Sequence, residues 1–239
     1  TRARRIIERL KMFNRKERDH LMKFALCEQP EEPKISSELW DLISRENETN
    51  PPDPEKMFLG MDYHLNWIHA ALVSPVTKNI DSLAEFENEW QCTGPSDCED
   101  KNFRPIQENQ EDVDLLVAWV NSRSKRLELV LVEAKLDSGW LSVQVESKLK
   151  RLSLIRNDAI NRSLEFIDWR FLLLAPKAPS AERSKTIASI LADERYEWAK
   201  RHDSKEPKFW HETWKLPNGR AAVNRVSRNW ARWGISSRD

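Results

Sequence analysis

Two apolar, β-branched runs separated by five polar residues constrain this chain more than any other feature. Asp112 to Val120 reads DVDLLVAWV and Arg126 to Lys135 reads RLELVLVEAK, with Asn121-Ser122-Arg123-Ser124-Lys125 between them. Runs of this kind around a turn-forming segment predict a β-hairpin. With the turn centred between Arg123 and Ser124, Asp114 lies opposite Glu133 and Asp112 opposite Lys135. A slip of one residue would shift these partners. Side chains alternate along a strand, so Glu133 and Lys135 share one face, roughly 7 Å apart, while Ala134 faces the other way. Charges at the end of Leu129-Val130-Leu131-Val132 are costly in a core unless they are paired or bind a metal. Two carboxylates held close repel each other unless a cation lies between them. The plain alternative is a salt-bridged strand end, with Lys135 paired to Asp112 or Glu133.

The rest of the chain supplies helices and one more strand. Residues 1–50 read as helical, with Asn14 and Glu17 at capping-box spacing and Leu21, Phe24 and Ala25 as an apolar stripe. Asn50-Pro51-Pro52-Asp53-Pro54 breaks the chain. Residues 55–72 predict a helix, with Met61, Leu65, Ile68 and Leu72 on one face and Asp62, Asn66 and His69 beside them. Composition turns loop-like from about 91 to 110. After the hairpin, residues 141–163 predict a long helix with Leu141, Val145, Leu149 and Leu152 inward. Trp169 to Ala175 is a short, nearly uninterrupted apolar run, as in a strand covered on both faces. Ser180 then caps a helix to about Arg201 that buries Ile187, Ile190, Leu191 and Trp198. Helix, hairpin, helix, strand, helix predicts an α/β mixed sheet with helices on its faces.

Composition narrows the function classes. At 39% hydrophobic and 33% charged, the chain is polar without being disordered. No apolar run approaches the ~20 residues needed to cross a bilayer, so no membrane partner is expected. No signal-peptide pattern opens the sequence, a weak point because it begins at Thr1. Cys27, Cys92 and Cys98 form no CxxC pair, which predicts reduced thiols, no zinc site and a cytoplasmic setting. His64 and His69 are five apart, off the spacing of a helical metal pair, and read as structural. The zero net charge conceals segregation: residues 1–24 hold nine Lys or Arg against three acids, residues 81–114 eleven acids against two bases, and residues 201–239 nine bases against four acids. Basic ends around an acidic middle would steer a polyanion towards a metal-binding centre, or are ordinary solvated surface.

The sequence resembles the PD-(D/E)XK nuclease superfamily, in which an acid at the start of a strand is followed by a hairpin and then Glu-x-Lys on the next strand. The residues that carry the resemblance are Asp114, Glu133 and Lys135, set in DVDLLVAWV and LVLVEAK. It continues into Gly139-Trp140 and the helix bearing Gln144, where many members place a glutamine beside the active site. Gln144, Lys148 and Arg151 form a polar stripe on that helix, and the resemblance covers about residues 57–175. Val113 rather than proline precedes the acid, which leaves Asp112 as a rival ligand; Asp114 is preferred because the apolar strand follows it directly. Some members carry an acid on the first core helix, for which Asp62 is the best-placed residue here, against a plain helix-surface acid.

The resemblance implies a restriction-endonuclease-like mixed sheet flanked by helices. It divides the chain into a helical extension at 1–50 and a nuclease-like domain at 51–239 with a basic, Trp-rich C-terminal segment. It also implies metal-dependent phosphodiester hydrolysis of nucleic acid, DNA ahead of RNA, as an endonuclease. Asp114, Glu133 and the backbone carbonyl of Ala134 would hold Mg²⁺ or Mn²⁺. Lys135 would act in the chemical step, Gln144 would position substrate or water, and Lys148 is an additional candidate. The alternative is an inactive nucleic-acid-binding or protein-interaction module on the same fold; homo-oligomerisation is left open.

Trp210, Trp214, Trp230 and Trp233 lie among Lys208, Lys215, Arg220, Arg225, Arg228 and Arg232. Rings and cations interleaved in this way suit stacked bases and held phosphates, unless the rings pack against the domain. Changing Arg225, Arg228 and Arg232 together to Ala is therefore expected to flatten the salt dependence of nucleic-acid binding. An unaltered slope in a folded triple variant would leave the tryptophans as packing alone.

Overall fold

A computed structural model of the chain describes residues 1–13, 20–21, 35–44, 52, 56–74, 111–135, 141–175, 180–201, 208–213, 220–223 and 233–236. The helices are α1 (Arg2–Phe13), α2 (Ser37–Ile43), α3 (Leu65–Val73), α4 (Ser142–Asn161) and α5 (Ala181–Leu191), with a 3-10 helix at Glu194–Ala199. The strands are β1 (Met57–His64), β2 (Asp112–Val120), β3 (Leu127–Ala134), β4 (Ile167–Ala175), β5 (Lys200–Arg201), β6 (Lys208–Thr213), β7 (Arg220–Val223) and β8 (Trp233–Ser236). Six strands form one mixed sheet in the order β1-β2-β3-β4-β6-β5, and β7 and β8 pair separately.

The hairpin is set by Asn121. Its side-chain carbonyl accepts the amides of Arg123 and Ser124, each at 3.0 Å, while its own N–H donates to the Arg126 carbonyl at 2.9 Å. Lys125 closes the turn at φ 59. Leu115 then lies opposite Val132 and Val120 opposite Leu127, the register predicted from the turn centre. The α4 crossover returns the chain so that β4 runs parallel to β3, with Ile167 beside Leu127 and Leu174 beside Ala134. A second crossover through α5 lays β6 parallel to β4.

Both faces of the sheet are covered. On one, Leu116, Ala118, Leu129, Leu131, Phe171 and Leu173 pack with residues of α1, α3, α4 and α5. Ala3, Ile6, Ile7 and Leu10 of α1 enter this core at helical spacing, which makes one stripe of that basic helix apolar. On the other face, Val117, Trp119, Val130, Val132, Leu172 and Leu174 pack against Trp40 and Ile43 of α2. A fully buried side chain of this size contributes about 1.5–3 kcal/mol. Strands β3 and β4 are therefore apolar at successive positions, as strands covered on both faces must be.

Three expectations are corrected. The helix predicted over 55–72 is a strand to His64 and a helix only from Leu65. Met61, Leu65, Ile68 and Leu72 fit a helical count, but the backbone of 57–64 satisfies its hydrogen bonds against β2, from Met57 opposite Trp119 to His64 opposite Asp112. The helix predicted from Ser180 to Arg201 ends at Leu191 and is followed by the 3-10 helix and β5. Leu141, predicted inward, precedes α4 and is 58% exposed. The cap at Asn14 and Glu17 and the stretch 91–110 lie outside the described residues, as do Trp214 and Trp230.

Gly60 marks a close approach within β1. A Cβ there would stand 2.7 Å from Phe58 Cζ and 2.9 Å from Tyr63 Cδ2. Neither ring can give way cheaply, because both are buried and they pack edge-to-face with centroids 5.3 Å apart. Gly60→Ala is expected to destabilise the protein by about 1–3 kcal/mol through overpacking, read as a lower urea midpoint at unchanged m-value. A midpoint equal to wild type would mean that the aromatic pair repacks freely.

Candidate active site

Strand β3 delivers Glu133 at its C-terminal end, after an apolar run that buries both faces. The carboxylate is 3% exposed and both of its oxygens meet an ammonium group. Lys135 Nζ donates to Oε1 at 2.9 Å, and Lys148 Nζ, from α4, donates to Oε2. Two cations on one buried carboxylate are the local answer to its desolvation.

Asp114 stands beside this cluster. The β2–β3 ladder runs to Leu115 opposite Val132, and one step further the same register sets Asp114 opposite Glu133. There the Asp114 side chain, Oδ2, accepts the Ala134 amide at 2.6 Å. Burial, and then the charge of Glu133, push the Asp114 carboxyl up, against the Ala134 amide and the charges of Lys148 and Lys135. Burial works to lower Lys135, but its hydrogen bond to Glu133 and the charges of Glu133, Asp114 and Asp112 outweigh it and hold the ammonium above its ordinary value.

The structure thus brings together Asp114, Glu133, Ala134, Lys135 and Lys148 among the residues singled out in the sequence. Asp112 lies opposite His64 at the start of β2, half-buried, and its charge reaches Lys135. Asp62 is on β1, not on a helix; the β1–β2 register carries it opposite Asp114, and it is half-buried at φ 47. Gln144 is exposed, one turn before Lys148 on α4, and takes no part in the ion pairs on Glu133. Arg225, Arg228 and Arg232 lie outside the described residues.

A polar seam between α3 and α4 continues from the site. Arg151 donates to Asn66 Oδ1 and lies 3.6 Å from Glu111 Oε2, while Ser147 Oγ donates to Glu111 Oε1 at 2.8 Å. Further along, His69 Nε2 donates to Asp158 Oδ2 at 2.9 Å, and Arg162 Nε reaches the same oxygen at 2.9 Å. Burial alone would raise Asp158, yet His69 and Arg162 hold its carboxyl below the ordinary range. Glu111, Ser147 and Asp158 were not singled out in the sequence. The only signal for them was the polar stripe of Asn66 and His69, which needed partners on a facing helix.

The ligands expected from the sequence, the Asp114 and Glu133 carboxylates and the Ala134 carbonyl, are all oxygen. No group of three or more His, Cys, Asp or Glu residues suited to a metal occurs among the described residues. A hard cation that keeps several waters needs only one or two carboxylates, and the upward push of Glu133 on Asp114 is the repulsion such a cation relieves. Oxygen ligands of this kind are those that Mg²⁺ or Mn²⁺ prefers. No described helix is long and apolar enough to cross a membrane. No family model, curated protein or solved structure matches the chain.

A raised carboxyl has a definite consequence for stability. Because the folded state holds the Asp114 proton more tightly than the unfolded chain does, stability falls as pH rises from the ordinary value of 3.8 through the higher folded value. Asp114→Asn keeps an acceptor for the Ala134 amide and removes the charge. In metal-free buffer, its melting temperature relative to wild type is expected to climb across that interval and level off above it. A difference independent of pH would show that burial and Glu133 do not raise the Asp114 carboxyl.

Proposed function

We propose that this protein is a metal-dependent nuclease of the PD-(D/E)XK type, on a restriction-endonuclease-like fold, that hydrolyses phosphodiester bonds in nucleic acid, DNA ahead of RNA. The observation that carries the reading is the buried Glu133 carboxylate beside Asp114, with Lys135 on the same strand face. The order of elements supports it: three antiparallel strands, the α4 crossover and a parallel fourth strand place the acid, the Glu-x-Lys pair and the helix polar stripe at one end of a mixed sheet.

Asp114 and Glu133, with the Ala134 carbonyl, would hold Mg²⁺ or Mn²⁺. When bound, such an ion supplies charge neutralisation and Lewis-acid polarisation of the phosphate. The chain's own residues do the rest. Lys135 keeps its proton, so it donates a hydrogen bond to the attacking water or to a phosphate oxygen and stabilises negative charge that grows in the transition state. Asp114 is fixed by the Ala134 amide, which sets the carboxylate's orientation before any ligand arrives. Gln144, exposed at the start of α4, would position substrate or water.

One observation favours a second reading: both Glu133 oxygens already carry ammonium groups, as in a structural ion-pair cluster on a nucleic-acid-binding module. Lys135→Met separates the two, since it keeps the apolar stem and removes the charge. With labelled DNA and RNA, wild type is expected to cleave only with Mg²⁺ or Mn²⁺, and the variant is expected to bind substrate but not cut it. Cleavage near wild type, together with the loss of about 3–5 kcal/mol typical of a broken buried pair, would make the lysine structural and the nuclease reading wrong.

A further inference from the structure

The lysines on Glu133 differ in origin. Lys135 follows it by two residues on the same strand face and also feels the charges of Asp114 and Asp112. Lys148 reaches Glu133 from another element, at the end of a long unbranched stem on α4. Its charge also acts on Asp114, more strongly than that of Lys135 does. The Lys148 ammonium thus contacts one carboxylate, and its charge acts on the second. As it stands, the cluster is close to neutral, with two carboxylates against two ammonium groups.

We infer that Lys148 is a built-in competitor for the divalent-cation site, occupying Glu133 Oε2 until the ion displaces it. The inference rests on the metal role proposed for Asp114 and Glu133. Both cannot hold Oε2 closely: a hard divalent ion takes the oxygen at about 2.0–2.1 Å in the case of Mg²⁺, and an ammonium left at that oxygen would face it as a like charge. Displacement is feasible because the lysine stem is flexible and the side chain is 13% exposed, so the freed ammonium has water to enter. The consequence is a site whose ion affinity is held down by its own chain. Once released, Lys148 carries its charge beside the site, one turn from exposed Gln144, where a phosphate would meet it.

The test is calorimetric titration of the metal-stripped full chain with Mn²⁺ alone, comparing wild type with Lys148→Met and Lys148→Gln. The second variant keeps a hydrogen-bond donor for Glu133 and guards against a failure to fold. Removing the competitor is expected to tighten Mn²⁺ binding by about tenfold or more. It should also lower the metal-free melting temperature and enlarge the rise that Mn²⁺ produces. Folded variants that bind Mn²⁺ as wild type does, or more weakly, overturn the inference and leave the nuclease reading standing. No binding by wild type or by either variant overturns both.

Discussion

The register between β2 and β3 is the constraint on which the site depends. Period-two alternation means that a slip of one residue would turn each side chain of a strand to the opposite face. Asn121 prevents that slip by accepting two turn amides and fixing where the chain reverses. At the far end of the hairpin, the same register brings Asp114 level with Glu133, and the Asp114 carboxylate receives the amide of Ala134. A turn at one end of the hairpin therefore sets the spacing of two carboxylates at the other.

Much of this was legible in the sequence because the hairpin carries three signals that agree: β-branched strands, a polar turn and apolar content on both faces. The pairing followed from them, while the crossover helix α4 and the buried strand β4 were legible from their own apolar patterns. The polar stripe on α4 was visible too, and Lys148 and Arg151 both turn inward to carboxylates. What failed did so for physical reasons. Residues 57–64 carry apolar spacing that fits a helix, and only the presence of β2 as a pairing partner decides for a strand. Asp62 accordingly moved from a helix face to a left-handed backbone position on a strand. Glu111 precedes β2 at the end of a loop-like, acidic stretch, and nothing local distinguishes it from its neighbours until Ser147 and Arg151 reach it across space.

Strand β3 also offers an internal comparison that bears on the proposed chemistry. It carries a second buried acid, Glu128, on the opposite face and fully enclosed, at 0% exposure. Its partner is Arg170 from β4, whose Nη2 donates at 3.1 Å, while Nη1 donates to the Ile43 carbonyl and the guanidinium lies 5.3 Å from the centre of the Trp119 ring. A planar fork with three attachments holds one geometry. It ties α2 to the sheet, and removing the arginine would leave a buried carboxylate without its cation.

Five residues on, Glu133 has a different kind of partner. Its cations are two lysines, single point charges on flexible stems, 24% and 13% exposed. Among the described residues, their hydrogen bonds go to Glu133 alone, and both side chains are partly exposed. On the other face of the same strand, the buried carboxylate is held by a guanidinium. An acid whose counterions can exchange is suited to accept a different cation and to release one of its lysines to an anionic substrate. The contrast between these two glutamates of one strand, on opposite faces and with different counterions, supports a chemical role at Glu133 and a structural one at Glu128.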